Sequence, residues 1–151
     1  MPRFEFRLQQ YLGIKEQLEE QKELEYAKAL RRVEEEKQHL RQLISRREQT
    51  IEDMRRSLTK VISPIDLRRA NNTIERLKIQ IAEQLERVAA AEAFAEEKRL
   101  ELLQAMKERK AIETVRDNQK EEFLIEIDKK ERKQVDELVS FKYTDKLKAP
   151  V

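Results

Sequence analysis

Apolar residues recur along this chain at alternating spacings of four and three, the pattern of a helix that buries one seam against another helix. From Tyr26 the series Leu30, Val33, Lys37, Leu40, Ile44, Arg47, Ile51, Met54, Leu58 and Val61 keeps that alternation, and only Lys37 and Arg47 break it with charge. Upstream, Phe4, Leu8, Tyr11 and Leu18 carry the stripe less regularly, with Ile14 and Leu24 offset, as expected where the repeat drifts or the partner changes. No proline falls between Arg3 and Val61. The single glycine, Gly13, costs about 1 kcal/mol against alanine, which a long helix absorbs. The pattern predicts one helix over residues 3–61.

The pattern stops at Ile62-Ser63-Pro64 and then restarts. Proline at a first helical position loses no needed hydrogen bond, Ser63 can cap the free amides, and Asp66 three residues later completes a capping box. The second seam runs through Ile74, Leu77, Ile81, Gln84, Val88, Ala91, Ala95, Lys98, Leu102, Ala105, Arg109 and Ile112, and its alanines point to close helix approach. A second helix over 65–143 follows, with residues 144–151 as a tail. The fold class expected is all-α: a single long antiparallel two-helix coiled-coil hairpin with a turn at 62–64 and a projecting C-terminal helical arm. A continuous rod kinked at Pro64 that dimerises is the alternative, and it leaves both stripes without a partner inside the chain. With a turn near Ser63, residue i faces roughly residue 126 minus i, so Phe4 falls near Phe123 and Tyr11 near Val115, over a shaft of about 85–90 Å. Beyond Phe123 about 20 residues lack a facing helix. Leu124, Ile127, Val135, Leu138 and Val139 there either take a partner surface or extend the seam against the N-terminal residues or another copy of the chain.

Composition agrees with a rod and narrows its chemistry. Charged residues make up 42% of the chain and aromatics 5%, too polar an average for a globular core but sufficient for a two-helix seam. There is no cysteine, so no disulfide, thiol nucleophile or cysteine metal site is available. His39 is the one histidine and reads as an ordinary helical residue. Without a glycine-rich phosphate loop, and with carboxylates on convex helical surface, neither an enzyme nor a cofactor is expected. No apolar run approaches a membrane span, the polar start is not that of a signal peptide, and a cytoplasmic protein is expected. Residues 41–78 hold ten Lys or Arg against five Asp or Glu, and residues 16–36 hold eight acids against four bases. The turn region is therefore basic: Arg46-Arg47, Arg55-Arg56 and Arg68-Arg69 either meet an acidic protein or anionic lipid, or are solvated faces with intrahelical pairs. Bases interleaved with acids, without an aromatic platform, argue against nucleic acid.

Two stretches carry a family resemblance. Phe4-Glu5-Phe6-Arg7-Leu8-Gln9-Gln10-Tyr11-Leu12, followed by Ile14-Lys15-Glu16-Gln17-Leu18-Glu19-Glu20, resembles the start of the FliJ family of flagellar type III export proteins. At the other end Lys107-Glu108-Arg109-Lys110-Ala111-Ile112-Glu113, and then Asp128 to Leu138 with Glu131, Lys133, Asp136 and Glu137, resemble the family's C-terminal Glu-x-Lys-x-x-Asp-Glu pattern. Arg132 stands where the family often has glutamine, and Val139 where it often has alanine.

The resemblance implies a cytoplasmic, non-enzymatic antiparallel coiled coil, similar in shape to the central stalk of rotary ATPases, peripheral at the inner membrane of the flagellar base. Its implied partners are the hexameric FliI-type export ATPase, the FliH-type regulator, the FlhA-type export gate protein and export chaperones. Its implied roles are promoting ATPase ring assembly, coupling the ring to the gate and escorting chaperones. Carried over by position, ATPase contact falls on Phe4, Leu8, Tyr11, Phe123, Ile127, Glu131, Lys133, Asp136 and Glu137. Gate contact falls on Thr73, Leu77, Gln80 and Gln84, with Leu43 and Arg46 as exposed positions of the first helix. Thr73 replaces an aromatic of the family pattern, and the first helix lacks a tyrosine often found there. A generic coiled-coil scaffold with self-association, a rotary-ATPase stalk and the equivalent protein of a virulence secretion system are the other readings weighed.

Overall fold

A computed structural model describes residues 2–148. It contains two helices, α1 (Gln9–Ser57) and α2 (Pro64–Lys148), and no strand among the described residues. The fold is all-α, with the two helices packed against each other as a hairpin. Contacts divide the chain into two compact units, one of residues 1–17 with 106–151 and one of residues 18–105.

The unit of residues 18–105 is closed by the turn. Ser63 caps α2 as its sequence implies: the Ile65 amide donates to Ser63 Oγ at 3.2 Å and the Leu67 amide to the Ser63 carbonyl at 3.2 Å. Pro64 is the first helical residue, where its missing N–H costs nothing, and Asp66 in the first turn suits the positive end of the helix dipole. At the other side of the turn α1 stops at Ser57, four residues before Val61. Its last turn tightens instead into i→i+3 bonds, from the Thr59 amide to the Arg56 carbonyl and from the Lys60 amide to Ser57. Leu58 and Val61, expected at the seam, are consequently exposed.

Within this unit the seam of α2 follows the predicted positions. Leu77, Ile81, Gln84, Val88, Ala95 and Ala105 are buried, and the remaining predicted positions from Ile74 to Leu102 are half-buried. On α1 the seam is rotated. Tyr26, Val33, Leu40, Arg47 and Met54 face inward as expected, but the most buried alternate positions are Ala29, Glu36 and Leu43, each one residue before the expected Leu30, Lys37 and Ile44; Lys37, Ile44 and Ile51 stay half-buried, and Leu30 is turned out. Leu30 is exposed, whereas Ala29 packs with Val33 and Ala95 in one apolar cluster. Leu43 packs with Leu77 and Ile81 in another, flanked by Leu40 and Ile44. Side-chain size misleads here, because alanines on both helices let the backbones approach and a bulkier Leu30 is turned out.

The unit built from both ends of the chain starts with residues 2–6 in non-helical backbone, so α1 begins six residues later than residue 3. Phe6 is buried and Phe4 half-buried, two residues apart. An extended segment puts such residues on one side, whereas a helix would turn one of them away, so burying both aromatics outweighs the extra helical turn. The Phe4 and Phe123 ring centroids lie 5.5 Å apart with the planes tilted by 53°, the facing expected from the turn position. Leu12 is completely buried. Gly13 sits in the second turn of α1 with nothing within 4 Å of where a Cβ would stand.

Candidate functional site

The end unit presents the first group of candidate residues. Phe4 and Phe123 spend their faces on each other, and Ile127 is half-buried one turn further along α2. Leu8 and Tyr11 are exposed on the first turns of α1. Lys15 Nζ lies 5.3 Å from the Tyr11 ring centroid and donates to Glu108 Oε2 at 2.9 Å. The bond to Glu108 raises the Lys15 pKa from its ordinary value of 10.5, against the opposing effect of desolvation. Beyond Ile127 every described side chain of α2 is exposed up to Leu147, including Glu131, Lys133, Asp136 and Glu137. Val135, Leu138, Val139, Phe141 and Tyr143 are large apolar side chains among these residues, and Leu124 is exposed just before Ile127. Helicity in that stretch draws on local pairs such as Arg132 Nε to Asp128 Oδ2 at 3.3 Å, each worth a few tenths of a kcal/mol.

The second group belongs to the unit of residues 18–105, and the structure separates it into surface and interior. Arg46 and Gln80 are exposed, and Thr73 is half-buried with its hydroxyl donating to the Arg69 carbonyl at 3.0 Å. Leu77 and Gln84 are seam residues, as the heptad reading of α2 has them, and not surface. Leu43, expected at an exposed place, is buried instead, because the rotated seam of α1 carries it inward. A shallow groove of about 190 Å³ nevertheless gathers Leu43, Gln80 and Gln84 with His39, Glu83 and Arg87. Leu43 and Gln84 form its floor and the longer polar side chains its walls.

The interior of this unit holds a polar lock. Gln84, 2% exposed, donates its amide to the Glu36 carbonyl at 2.9 Å and also to Glu36 Oε2, and Arg32 Nη2 reaches Glu36 Oε1 at 2.6 Å. Gln84 is legible in the sequence as a polar break in the α2 seam, but Glu36 is not, since the expected register puts Lys37 there. Further along, Lys22, Glu25, Lys98 and Glu101 form a four-membered network. Lys22 Nζ is 3.1 Å and Lys98 Nζ 3.3 Å from Glu101 Oε2, and Lys98 Nζ is 3.5 Å from Glu25 Oε2. Hydrogen bonds to Glu101 raise both lysines above 10.5, and the same bonds, Lys22 first, hold Glu101 below 4.5. At Glu25 desolvation opposes ionisation, but Lys22 and Lys98 outweigh it and lower its pKa. These pairs align the helices; they assemble no nucleophile and base. No cluster of three or more metal-ligating side chains and no helix apolar enough to cross a membrane occurs among the described residues.

The profile of the family described as Flagellar FliJ protein matches residues 4–148. Among solved structures, a YscO homolog from Chlamydia trachomatis is similar in fold at 23% identity and a TM-score of 0.57, covering 97% of this chain and 100% of its own. No curated protein matches the chain significantly.

Proposed function

The chain belongs to the flagellar FliJ protein family and is a component of the flagellar type III export apparatus, and from that premise we propose that it acts as a stalk-like coupling factor. In this reading it binds the FliI-type hexameric ATPase, promotes assembly of its ring, and links the ring with its FliH-type regulator to the FlhA-type export gate. It also escorts export chaperones, and it works peripherally at the cytoplasmic face of the inner membrane without chemistry of its own.

One observation carries the ATPase half of this reading. From Leu124 onward α2 exposes Val135, Leu138 and Val139 beside Glu131, Lys133, Asp136 and Glu137, an amphipathic helix whose large apolar residues, Ile127 apart, stay exposed. Such a helix is held by a partner surface rather than by its own propensity. Leu8 and Tyr11 add exposed apolar surface in the same unit, while Phe4, Phe123 and Ile127 support it from within. Gate contact is assigned to the exposed Arg46 and Gln80 and to the half-buried Thr73, with Leu43, Leu77 and Gln84 fixing the surface beneath.

The test is ATP hydrolysis by the cognate ATPase with and without the purified chain, across ATPase concentrations. Stimulation strongest where the ATPase is mostly unassembled is the expected result, and charge reversal of Asp136 and Glu137 should reduce it without loss of helicity. Neither stimulation nor co-elution would return the chain to a scaffold role.

A further inference from the structure

The turn between the helices has a second property that the coupling role does not use. Val61 is 105% exposed, and Leu58 and Ile65 are 62% and 63% exposed, so three aliphatic side chains stand on the outside of one short connection. Met54, Ile62 and Leu67 are half-buried and, together with Lys60 and Val61, line a cleft of about 350 Å³ at the turn. Val61 is nonetheless fully exposed where Ile62 is half-buried, and the cap at Ser63 sets the chain direction that follows.

A basic collar surrounds this apolar point. Residues 46–69 hold seven Lys or Arg against four Asp or Glu. Arg55 and Arg56 share one carboxylate, Glu52, at 3.6 and 3.5 Å, and both guanidinium side chains are mostly exposed. Lys60, Arg68 and Arg69 are exposed and make no ion pair among the described residues. Aliphatic tips ringed by long cationic side chains match the interface of an anionic bilayer. The apolar groups enter the acyl boundary, and the bases remain at the phosphates with their stems against lipid.

We propose that the 58–65 turn is a membrane-contact site that inserts Leu58, Val61 and Ile65 into the headgroup region of an anionic lipid leaflet, with Lys60, Arg68 and Arg69 holding the phosphates. Lipid is favoured over an acidic protein because the three aliphatic side chains stand strongly exposed at the turn among bases. A protein would need a matching socket, whereas a fluid interface takes any such point whose charge suits it. Each base close to an anionic leaflet contributes about fivefold in partitioning, so contact depends on salt and on the anionic lipid fraction.

The chain has no tryptophan, which gives a clean local reporter. Val61→Trp in the full chain should show a blue-shifted emission, quenched by brominated acyl chains, with phosphatidylglycerol-containing vesicles at low salt and not with phosphatidylcholine alone. Arg68→Glu with Arg69→Glu should cut partitioning by about 25-fold or more with unchanged helicity. Leu58→Asp with Ile65→Asp should abolish the shift, again with unchanged helicity. No shift at any anionic fraction, or a shift indifferent to lipid charge, would overturn the proposal. So would insertion reported by Leu138→Trp with none at residue 61, which assigns membrane contact to the C-terminal helix. An emission shift with an acidic polypeptide and none with vesicles would make the turn a protein-docking point instead.

Discussion

The unit of residues 18–105 and the unit built from the chain ends solve the same packing problem with different materials. The first uses small aliphatics at regular intervals, Ala29 and Val33 on Ala95 and Leu43 on Leu77 and Ile81, and interrupts them with the Glu36–Gln84 lock. Its specificity is polar and its core lean. The second relies on few, large contacts: a wholly buried Leu12, a buried Phe6 and the Phe4–Phe123 pair, with helix left over beyond them. A lean periodic seam spreads its apolar burial over many small residues, so its sensitive point is the polar lock. An end held by a few aromatics depends on each of them.

The largest expected effect follows from that dependence. Phe4→Asp together with Phe123→Asp removes an aromatic pair and puts two carboxylates in its place, a loss of about 3 kcal/mol or more. Hydrogen exchange should show residues 9–18 losing protection while residues 26–95 keep theirs. Equal protection in both stretches would mean the ends are held by something other than this pair. Gln84→Glu should do the reverse, destabilising the other unit by about 1–3 kcal/mol at neutral pH, because a second carboxylate then faces Glu36. That like-charge contact raises the carboxyl pKa in the folded state, so the deficit against the natural protein should shrink as pH falls toward 4.5. A deficit independent of pH would show that shape, not charge, makes the lock. Gly13→Ala sharpens the contrast in the other direction. With open space at the Cβ position, it should stabilise the end unit by about 1 kcal/mol, read as slower exchange near residue 13 only.

The smallest effect concerns the Lys22–Glu25–Lys98–Glu101 network. Glu25 and Glu101 have folded pKa values below 4.5, so their contribution is present above that pH and fades as pH drops through the lowered values. Lys22 and Lys98 lie above 10.5, and theirs is present below 10.5 and fades as pH rises through the raised values. Thermal midpoints should be flat between these limits and decline modestly outside them, more weakly at high salt because all four groups are solvent-accessible. Lys22→Met with Lys98→Met should flatten the acid limb.

Much of the fold was legible because period and punctuation are strong signals in a chain of this kind. Pro64 and Ser63 mark the restart of the helix, and the α2 seam from Ile74 to Ile112 can be read residue by residue. The α1 seam was fully legible only in alternate positions, since Leu30 advertises burial more loudly than Ala29 and nothing marks Glu36 as buried, and backbone approach decided against Leu30. The start of α1 was hidden for a similar reason: no propensity signal reveals that Phe4 and Phe6 share one face of a non-helical segment. Among candidate site residues, exposure of Glu131, Lys133, Asp136 and Glu137 follows from a helix without a facing neighbour. The burial of Leu43 does not follow from spacing alone, because it depends on the rotation of α1. The outward Val61 was missed because a heptad continued through it, and only the tightening of the last turn at Thr59 and Lys60 takes it out of the seam.

The Glu36–Gln84 lock fixes which residue faces which, but it does not fix which molecule supplies them. Two chains opened at residues 58–63 and exchanged would form the same lock, the same Ala29–Ala95 contact and the same ion pairs. The choice between a self-paired monomer and an exchanged dimer therefore falls on that one connection, which contains no glycine and no left-handed residue to relieve strain. A short connection holds the two helices at an effective concentration of about millimolar, so self-pairing wins at ordinary protein levels. Crowding many copies at one assembly site, or stiffening residues 58–63 with a second proline, would shift the population toward exchange.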